Sequence, residues 1–233
     1  MMEQTKKRYR GMIFDLDGTL VNTLEDLADS VNEALEKMGY PVWKTEDYRL
    51  KVGRGFRNLM ENSVPPEVKE DSAVIDRMLE YFVNAYDRRY MEKSRPYDGI
   101  RDMLADLEKE GIMTAVNSNK RTDYTEKLIA ALFPGVPFVG VFGERAGVPK
   151  KPDPASALEL CGIMGLEPAE VLYIGDSRTD MQTGKNAGMD TVGVVWGFRG
   201  YQELHENGAV YIARTPADLV ELARTGGIRP CDI

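Results

Sequence analysis

Two carboxylates one residue apart, Asp15 and Asp17, follow the apolar run Gly11-Met12-Ile13-Phe14, and Gly18 comes directly after them. A buried strand ending there delivers both to the carboxyl edge of a parallel sheet, where open α/β sheets bind ligands. An isolated Asp-x-Asp-Gly also reads as a polar turn, so the chemistry depends on what distant segments bring. Ser118-Asn119, Lys150-Lys151-Pro152 and Gly175-Asp176 with Asp180 are further polar clusters at or near predicted strand ends. All strands of a parallel sheet end on one edge, so these groups can converge despite their separation in sequence. Four carboxylates there repel one another unless a cation neutralises them, and an all-oxygen set suits Mg²⁺. Asp176 leaves its strand toward such an ion. Asp180 falls in a first helical turn, where it reads either as a ligand or as a charge favoured by the helix dipole. Ser118 offers a hydroxyl and nearby N–H groups to a phosphate oxygen. Lys151 is placed to offset charge on an attacking carboxylate and on a phosphoryl group, although alone it reads equally as a solvated loop lysine.

Composition narrows the classes. The chain has 233 residues, a net charge of −8 and a single histidine, His205, in a polar stretch. Zinc sites and Ser-His or Cys-His nucleophile pairs need histidines that this chain lacks. The acidic balance argues against a nucleic-acid partner, and no apolar run is long enough to span a membrane. The polar, basic start at Met1 to Arg10 has no apolar stretch behind it and does not read as a secretory signal. Cys161 and Cys231 are far apart and unpatterned, which fits a reducing compartment. The expectation is a cytoplasmic monomer or homodimer.

The elements that must position these groups follow from periodicity. Leu24, Leu27, Ala28, Val31, Leu35 and Met38 recur at helical spacing and Gly39 ends the run. Asn22 with Glu25, or Thr23 with Asp26, forms a candidate capping box. Between Asn22 and Arg95 the pattern is helical throughout, including a long segment with Val74, Met78, Phe82, Ala85 and Tyr86 on one stripe. Beyond Pro96 helices and strands alternate. Strands are predicted at 112–116, 138–142, 171–174, 191–195 and 210–213, and Pro216 opens the last helix. The fold expected is a doubly wound parallel α/β sheet built from residues 1–21 and 96–233, with residues 22–95 inserted as a helical cap domain.

Together, Asp15-Leu16-Asp17-Gly18-Thr19, Ser118-Asn119-Lys120, Lys151-Pro152 and Gly175-Asp176-x-x-x-Asp180 resemble, in order, the four motifs of the haloacid dehalogenase-like superfamily. The inserted block resembles its C1-type helical cap. Phe14 to Leu20, Gly53-Arg54-Gly55, Lys151-Pro152-Asp153-Pro154 and Gly175-Asp176-Ser177 are similar to its phosphoglycolate phosphatase-like branch. The resemblance implies an Mg²⁺-dependent phosphatase for a small phosphate ester, with 2-phosphoglycolate the best single candidate. In it Asp15 is the nucleophile that forms an aspartyl-phosphate, and Asp17 is the general acid, then base. Asp15, the main-chain carbonyl of Asp17, Asp176 and Asp180 form the metal site. Ser118 and Lys151 hold phosphoryl oxygens, with Gly18, Thr19, Asn119 and Arg54 also on the substrate side. Dehalogenases of this superfamily lack a carboxylate at the place of Asp17, so its presence points to phosphate chemistry. Asn22 stands where relatives often have Asp, and Asn117 where a small apolar residue is usual. Of the adjacent lysines, Lys151 is chosen because Pro152 follows it. Two alternatives stay open: a sugar-phosphate mutase of the same superfamily, and a non-catalytic phosphate-sensing protein.

Overall fold

The computed structural model describes residues 9–227. Its first strand, β1 (Gly11–Phe14), is buried at every position, as expected of an apolar run covered on both faces. A short strand β2 (Val21–Asn22) follows. Next come α1 (Leu24–Lys37), a 3₁₀ turn over Thr45–Leu50, α2 (Phe56–Glu61) and α3 (Ser72–Arg89), after which β3 (Arg95–Pro96) brings the chain back beside β2. The remainder alternates through α4 (Ile100–Lys109), β4 (Met113–Arg121), α5 (Thr122–Leu132), β5 (Val141–Glu144), α6 (Ala155–Met164) and β6 (Val171–Gly175). It continues with α7 (Arg178–Ala187), β7 (Asp190–Val194), α8 (Tyr201–Glu206), β8 (Tyr211–Ala213) and α9 (Pro216–Thr225).

The main sheet has the order β5-β4-β1-β6-β7-β8, and every pairing in it is parallel. This is the doubly wound α/β architecture. From β1 the chain builds outward through β4 and β5, then crosses back to lay β6, β7 and β8 on the other side. The direction of winding therefore reverses at β1, and such a reversal opens a crevice beyond the strands' carboxyl ends. Side chains alternate across the sheet: Met12 and Phe14 join the core shared with α4, α5 and α9, while Ile13 joins the one built with α6. Gly11 is required by close approach, because a Cβ there would lie 2.8 Å from Met164 Sδ and 2.9 Å from Leu166 Cδ1.

The helical block carries an apolar core of its own. Leu27, Val31 and Leu35 of α1 meet Phe56, Leu59 and Met60 of α2 and Ile75, Met78, Phe82 and Tyr86 of α3. Tyr124 and Phe198 join this cluster from the other part of the chain. The predicted stripe on α3 named Val74, but Ile75 is the fully buried residue and Val74 is half-buried. The block is tied to the sheet by backbone pairing at its two ends, Val21 with Pro96 and Asn22 with Arg95. Sequence periodicity gave no sign of this ribbon, since two residues are too few to show an alternation.

Two local expectations are corrected. The strand predicted at 112–116 runs on to Arg121, because the backbone stays extended through Ser118 and pairs Arg121 with Glu144 after a register shift. No capping box opens α1. The Thr23 hydroxyl makes no cap bond and instead donates to Asp17 Oδ1 at 2.6 Å. Asp26 is also taken elsewhere: its buried carboxylate accepts from the N–H of Lys93 (2.9 Å), the N–H of Ser94 (2.8 Å) and the Ser94 hydroxyl (2.7 Å). His205 is exposed and stacks on Tyr201. Residues 1–8 of the basic start and Cys231 lie outside the described residues, while Arg10 pairs with Glu170 at 3.0 Å.

Asp26 thus fixes the returning linker to α1 by charge-assisted bonds. Asp26→Ala leaves three donors near β3 without their acceptor and is expected to lower stability by about 2–3 kcal/mol. The urea midpoint checks this, and an unchanged midpoint would contradict it.

Candidate active site

The ends of β1 and β6, the last part of β4 and the loop after β5 deliver the polar clusters to one place. β1 ends at Phe14, so Asp15 projects from the sheet edge, its N–H donating to Ile174 O at 2.9 Å. β6 ends at Gly175, and Asp176 follows it. Asp180 sits in the first turn of α7, where its Oδ2 accepts from Ser177 N–H (3.1 Å) and Ser177 Oγ–H (2.6 Å) in a capping box. The two readings of Asp180 coexist: one oxygen caps the helix while the other faces the cluster. Gly175 precedes this turn because a Cβ there would overlap the Asp180 side chain. Gly18 is constrained more strongly. It has φ +86°, and a Cβ on it would overlap the Asp176 carboxylate.

Asp15, Asp176 and Asp180 are buried and offer three carboxylate oxygens within 4.8 Å of one another. Among the described residues the cation paired with them is Lys151, whose buried Nζ lies 2.8 Å from Asp15 Oδ1 and 2.8 Å from Asp180 Oδ1. Three negative charges against one positive leave an excess of about two. Burial above all, opposed by Lys151 and aided by the neighbouring Asp180 and Asp17 charges, leaves the Asp15 carboxyl pushed up to about 7. Asp176 is raised well above the carboxylate range by burial and by the Asp180 and Asp15 charges. Lys151 would be lowered by burial, but Asp15 and Asp180 outweigh that and hold it well above its ordinary value. A hard dication bound among these oxygens would remove the repulsion, and the donor set of carboxylates without nitrogen or sulfur fits one. Asp17 stands apart from the triad in its side chain. Its Oδ1 accepts from Thr23 and its Oδ2 pairs with Lys120 Nζ at 3.0 Å.

On the β4 side, Ser118 is buried and accepts the Lys120 N–H at 3.1 Å. The Asn119 amide spans two parts of the structure. Its Nδ2 donates to Gly53 O and to Lys151 O, each at 3.1 Å, while Oδ1 accepts Lys151 N–H at 2.9 Å. It therefore fixes the backbone that carries Lys151. Lys150 points elsewhere, to Glu144 at 2.7 Å. The Thr19 hydroxyl is buried without a partner among the described residues, and its carbonyl accepts Trp196 Nε1–H at 3.0 Å. Asn117 donates to the Tyr173 hydroxyl at 3.0 Å, so its polar side chain has a buried partner.

The helical block closes over this edge. A cavity of about 20 Å³, close to the room a water needs, lies between Asp15, Asp17, Ser118 and Lys120 below and Leu27, Gly53, Phe56 and Leu59 above. Arg54 does not line it. Its exposed side chain borders a separate polar cavity of about 270 Å³ with Lys51, Arg178 and Arg199.

Sequence reasoning assigns no role to two contributors. Lys120 is buried beside Asp17, and its position two residues after Ser118 places it on the same strand face, which was the available clue. The Phe198 N–H, donating to Asp176 Oδ2 at 2.6 Å, is a backbone group in an unpatterned loop and left no trace in residue types.

Comparison with known proteins agrees with this geometry. A family model described as haloacid dehalogenase-like hydrolase matches residues 12–194. A phosphoglycolate phosphatase from Mesorhizobium japonicum is 33% identical over 213 residues, covering 91% of this chain and 94% of that protein. One from Psychrobacter arcticus is 32% identical over 200 residues, covering 84% and 87%. A crystal structure from Lactobacillus delbrueckii subsp. bulgaricus matches with a TM-score of 0.87 and 31% identity, covering 93% of this chain and 98% of the other. The chain belongs to the haloacid dehalogenase-like hydrolases, in the phosphoglycolate phosphatase-like branch.

The raised carboxyls set a pH dependence. From about 4 to about 7 the folded protein holds the Asp15 proton while the unfolded chain has released it. This site's contribution to stability is therefore full at low pH and is lost as pH rises through 7. A divalent cation competes with those protons. Added MgCl₂ is expected to raise the melting temperature of chelator-treated protein more at pH 8 than at pH 5; equal shifts would contradict this.

Proposed function

We propose that this hydrolase cleaves 2-phosphoglycolate, transferring its phosphoryl group to Asp15 and then to water, with Mg²⁺ as the metal. Family membership and the phosphatase names of its relatives make it a phosphoric monoester hydrolase. One observation carries the reading: a buried lysine lies 2.8 Å from both Asp15 and Asp180, inside a carboxylate triad that one lysine cannot neutralise.

Asp15, Asp176 and Asp180 are the carboxylates that would hold the ion, joined by the main-chain carbonyl of Asp17. When bound, it supplies positive charge that lets an anionic nucleophile approach an anionic ester. The chain's own groups do the rest. The Leu16 N–H donates to Asp15 Oδ1 at 2.7 Å, and Lys151 holds the same oxygen, which leaves Oδ2 for attack on phosphorus. Lys151 and the Ser118 hydroxyl then take the phosphoryl oxygens, whose charge grows as the bond to the leaving oxygen breaks. Asp17 gives that oxygen a proton and afterwards takes one from the water that hydrolyses the aspartyl-phosphate. Retention of Asp17 is what assigns the reaction to phosphate esters and not to carbon–halogen bonds.

We further propose that residues 22–95 act as a cap that lifts to admit substrate. The cavity between block and core is narrow, about 20 Å³, and would widen as the block lifts. Closure then excludes water from the first step and confines it to the second. Leu27, Phe56 and Leu59 would form the apolar roof, and the backbone of Gly53 and Gly55 would come near the ester. No described helix is long and apolar enough to cross a membrane, and we propose a cytoplasmic site of action.

The test is release of inorganic phosphate from a panel of phosphorylated metabolites with and without Mg²⁺. The expected result is Mg²⁺-dependent release with 2-phosphoglycolate preferred; a product that keeps its phosphate would indicate a mutase instead. Asp15→Asn is expected to bring turnover below detection with the melting temperature retained or raised, because it removes a repelling charge. Asp17→Asn is expected to lower kcat by about 10²–10⁴-fold.

A further inference from the structure

Lys120 has no part in the steps above, yet it is among the most deeply buried charges of the molecule. Its side chain is 1% exposed and extends from β4 under the helical block. Nζ lies 3.0 Å from Asp17 Oδ2 and 3.0 Å from the Tyr86 hydroxyl. The rings of Tyr86 and Phe56 stand 5.0 and 5.5 Å from the ammonium. Both rings belong to the block, and both cluster with Phe82 and Tyr124. A lysine fixed on three sides by the Asp17 carboxylate, the Tyr86 hydroxyl and the Phe56 ring has little freedom to follow a substrate.

The consequence falls on Asp17. A terminal carboxyl rotates in a broad well, and a proton donor must present one oxygen to the leaving group within hydrogen-bond reach. Here Thr23 holds Oδ1 at 2.6 Å while Lys120 holds Oδ2. Thr23 is the N-cap of α1, and Tyr86 belongs to α3. Both restraints on this core carboxylate therefore originate in the block, one directly and one through the lysine.

We propose that Lys120 is a positioning residue for Asp17, anchored by the Tyr86 hydroxyl, so that the seated helical block sets the carboxylate for proton transfer to the leaving oxygen. Misplacement by about 1 Å is enough to cost about 10²-fold in such a step. This inference rests on the reading of Asp17 as the general acid. It differs from a lysine that binds the phosphoryl group, which would matter equally for every ester.

Leaving groups separate the two. An alkyl phosphate departs as a strongly basic alkoxide and needs the proton, whereas 4-nitrophenyl phosphate departs as a stable phenolate and needs it far less. The experiment compares kcat/KM for 2-phosphoglycolate and for 4-nitrophenyl phosphate, with Mg²⁺, in wild type, Lys120→Met, Tyr86→Phe and Asp17→Asn. Melting temperatures are recorded for each. Lys120→Met is expected to lower the alkyl value at least about tenfold more than the aryl value, within the range that acid–base catalysis supplies. Tyr86→Phe, which keeps the ring and removes only the hydroxyl, is expected to shift the ratio the same way by less, and it carries the test if Lys120→Met fails to fold. An equal loss on both esters in Lys120→Met overturns the positioning role, as does an unchanged ratio in Tyr86→Phe. If Asp17→Asn itself loses both activities equally, the assignment of Asp17 as general acid fails instead, and that result is distinguishable because it does not involve Lys120.

Discussion

Everything at the sheet edge answers to one constraint: three carboxylates and one ammonium are held out of water within a few ångströms of each other. Each buried ion carries a desolvation cost of several kcal/mol, so the arrangement persists only because the surrounding fold leaves no alternative. Lys151 bridges Asp15 and Asp180, and the Asn119 amide fixes the lysine's own backbone. Ser177 ties Asp180 to the start of α7. The Phe198 N–H holds Asp176 from a loop beyond β7. Each group is oriented by one from a different strand end, which is the preorganisation that charge-developing chemistry requires.

The position of β1 makes this possible. With β4 on one side and β6 on the other, Asp15 stands between the ends of both neighbours, and its register places Phe14 level with Val116 and Ile174. A strand at either margin of the sheet would have met a polar cluster on one side only. The helical block enters directly after this strand, so the segment that supplies the carboxylates also begins the roof above them.

Much of this was legible in residue types because the chemistry is written in short segments at strand ends. Asp176 and Asp180 press against glycines whose need is steric: a Cβ on Gly18 would overlap Asp176 and one on Gly175 would overlap Asp180. Such requirements show in a sequence as glycines set close to carboxylates at the end of an apolar run. What was not legible depends on contacts between segments far apart. Thr23 looked like a helix cap and instead holds Asp17. Asp26 looked like its capping partner and instead holds the returning linker. In both cases a local hydrogen-bonding preference gave way to a buried partner that only the tertiary fold supplies. Arg54, in a glycine-flanked loop, drew attention by its neighbours, while Gly53 and Gly55 are the ones that line the closed cavity.

The ribbon formed by β2 and β3 has one more consequence. Because Val21 pairs with Pro96, the chain leaves the sheet layer and re-enters it at adjacent points. Topologically the insertion is a long excursion from a single position, and the strands that carry the carboxylates do not depend on its length or content. A core of this kind can keep its cluster of carboxylates and lysine while the excursion is rebuilt for a different ester. The two backbone pairs at its base, Val21 with Pro96 and Asn22 with Arg95, are then the fixed joint on which such replacements would be made.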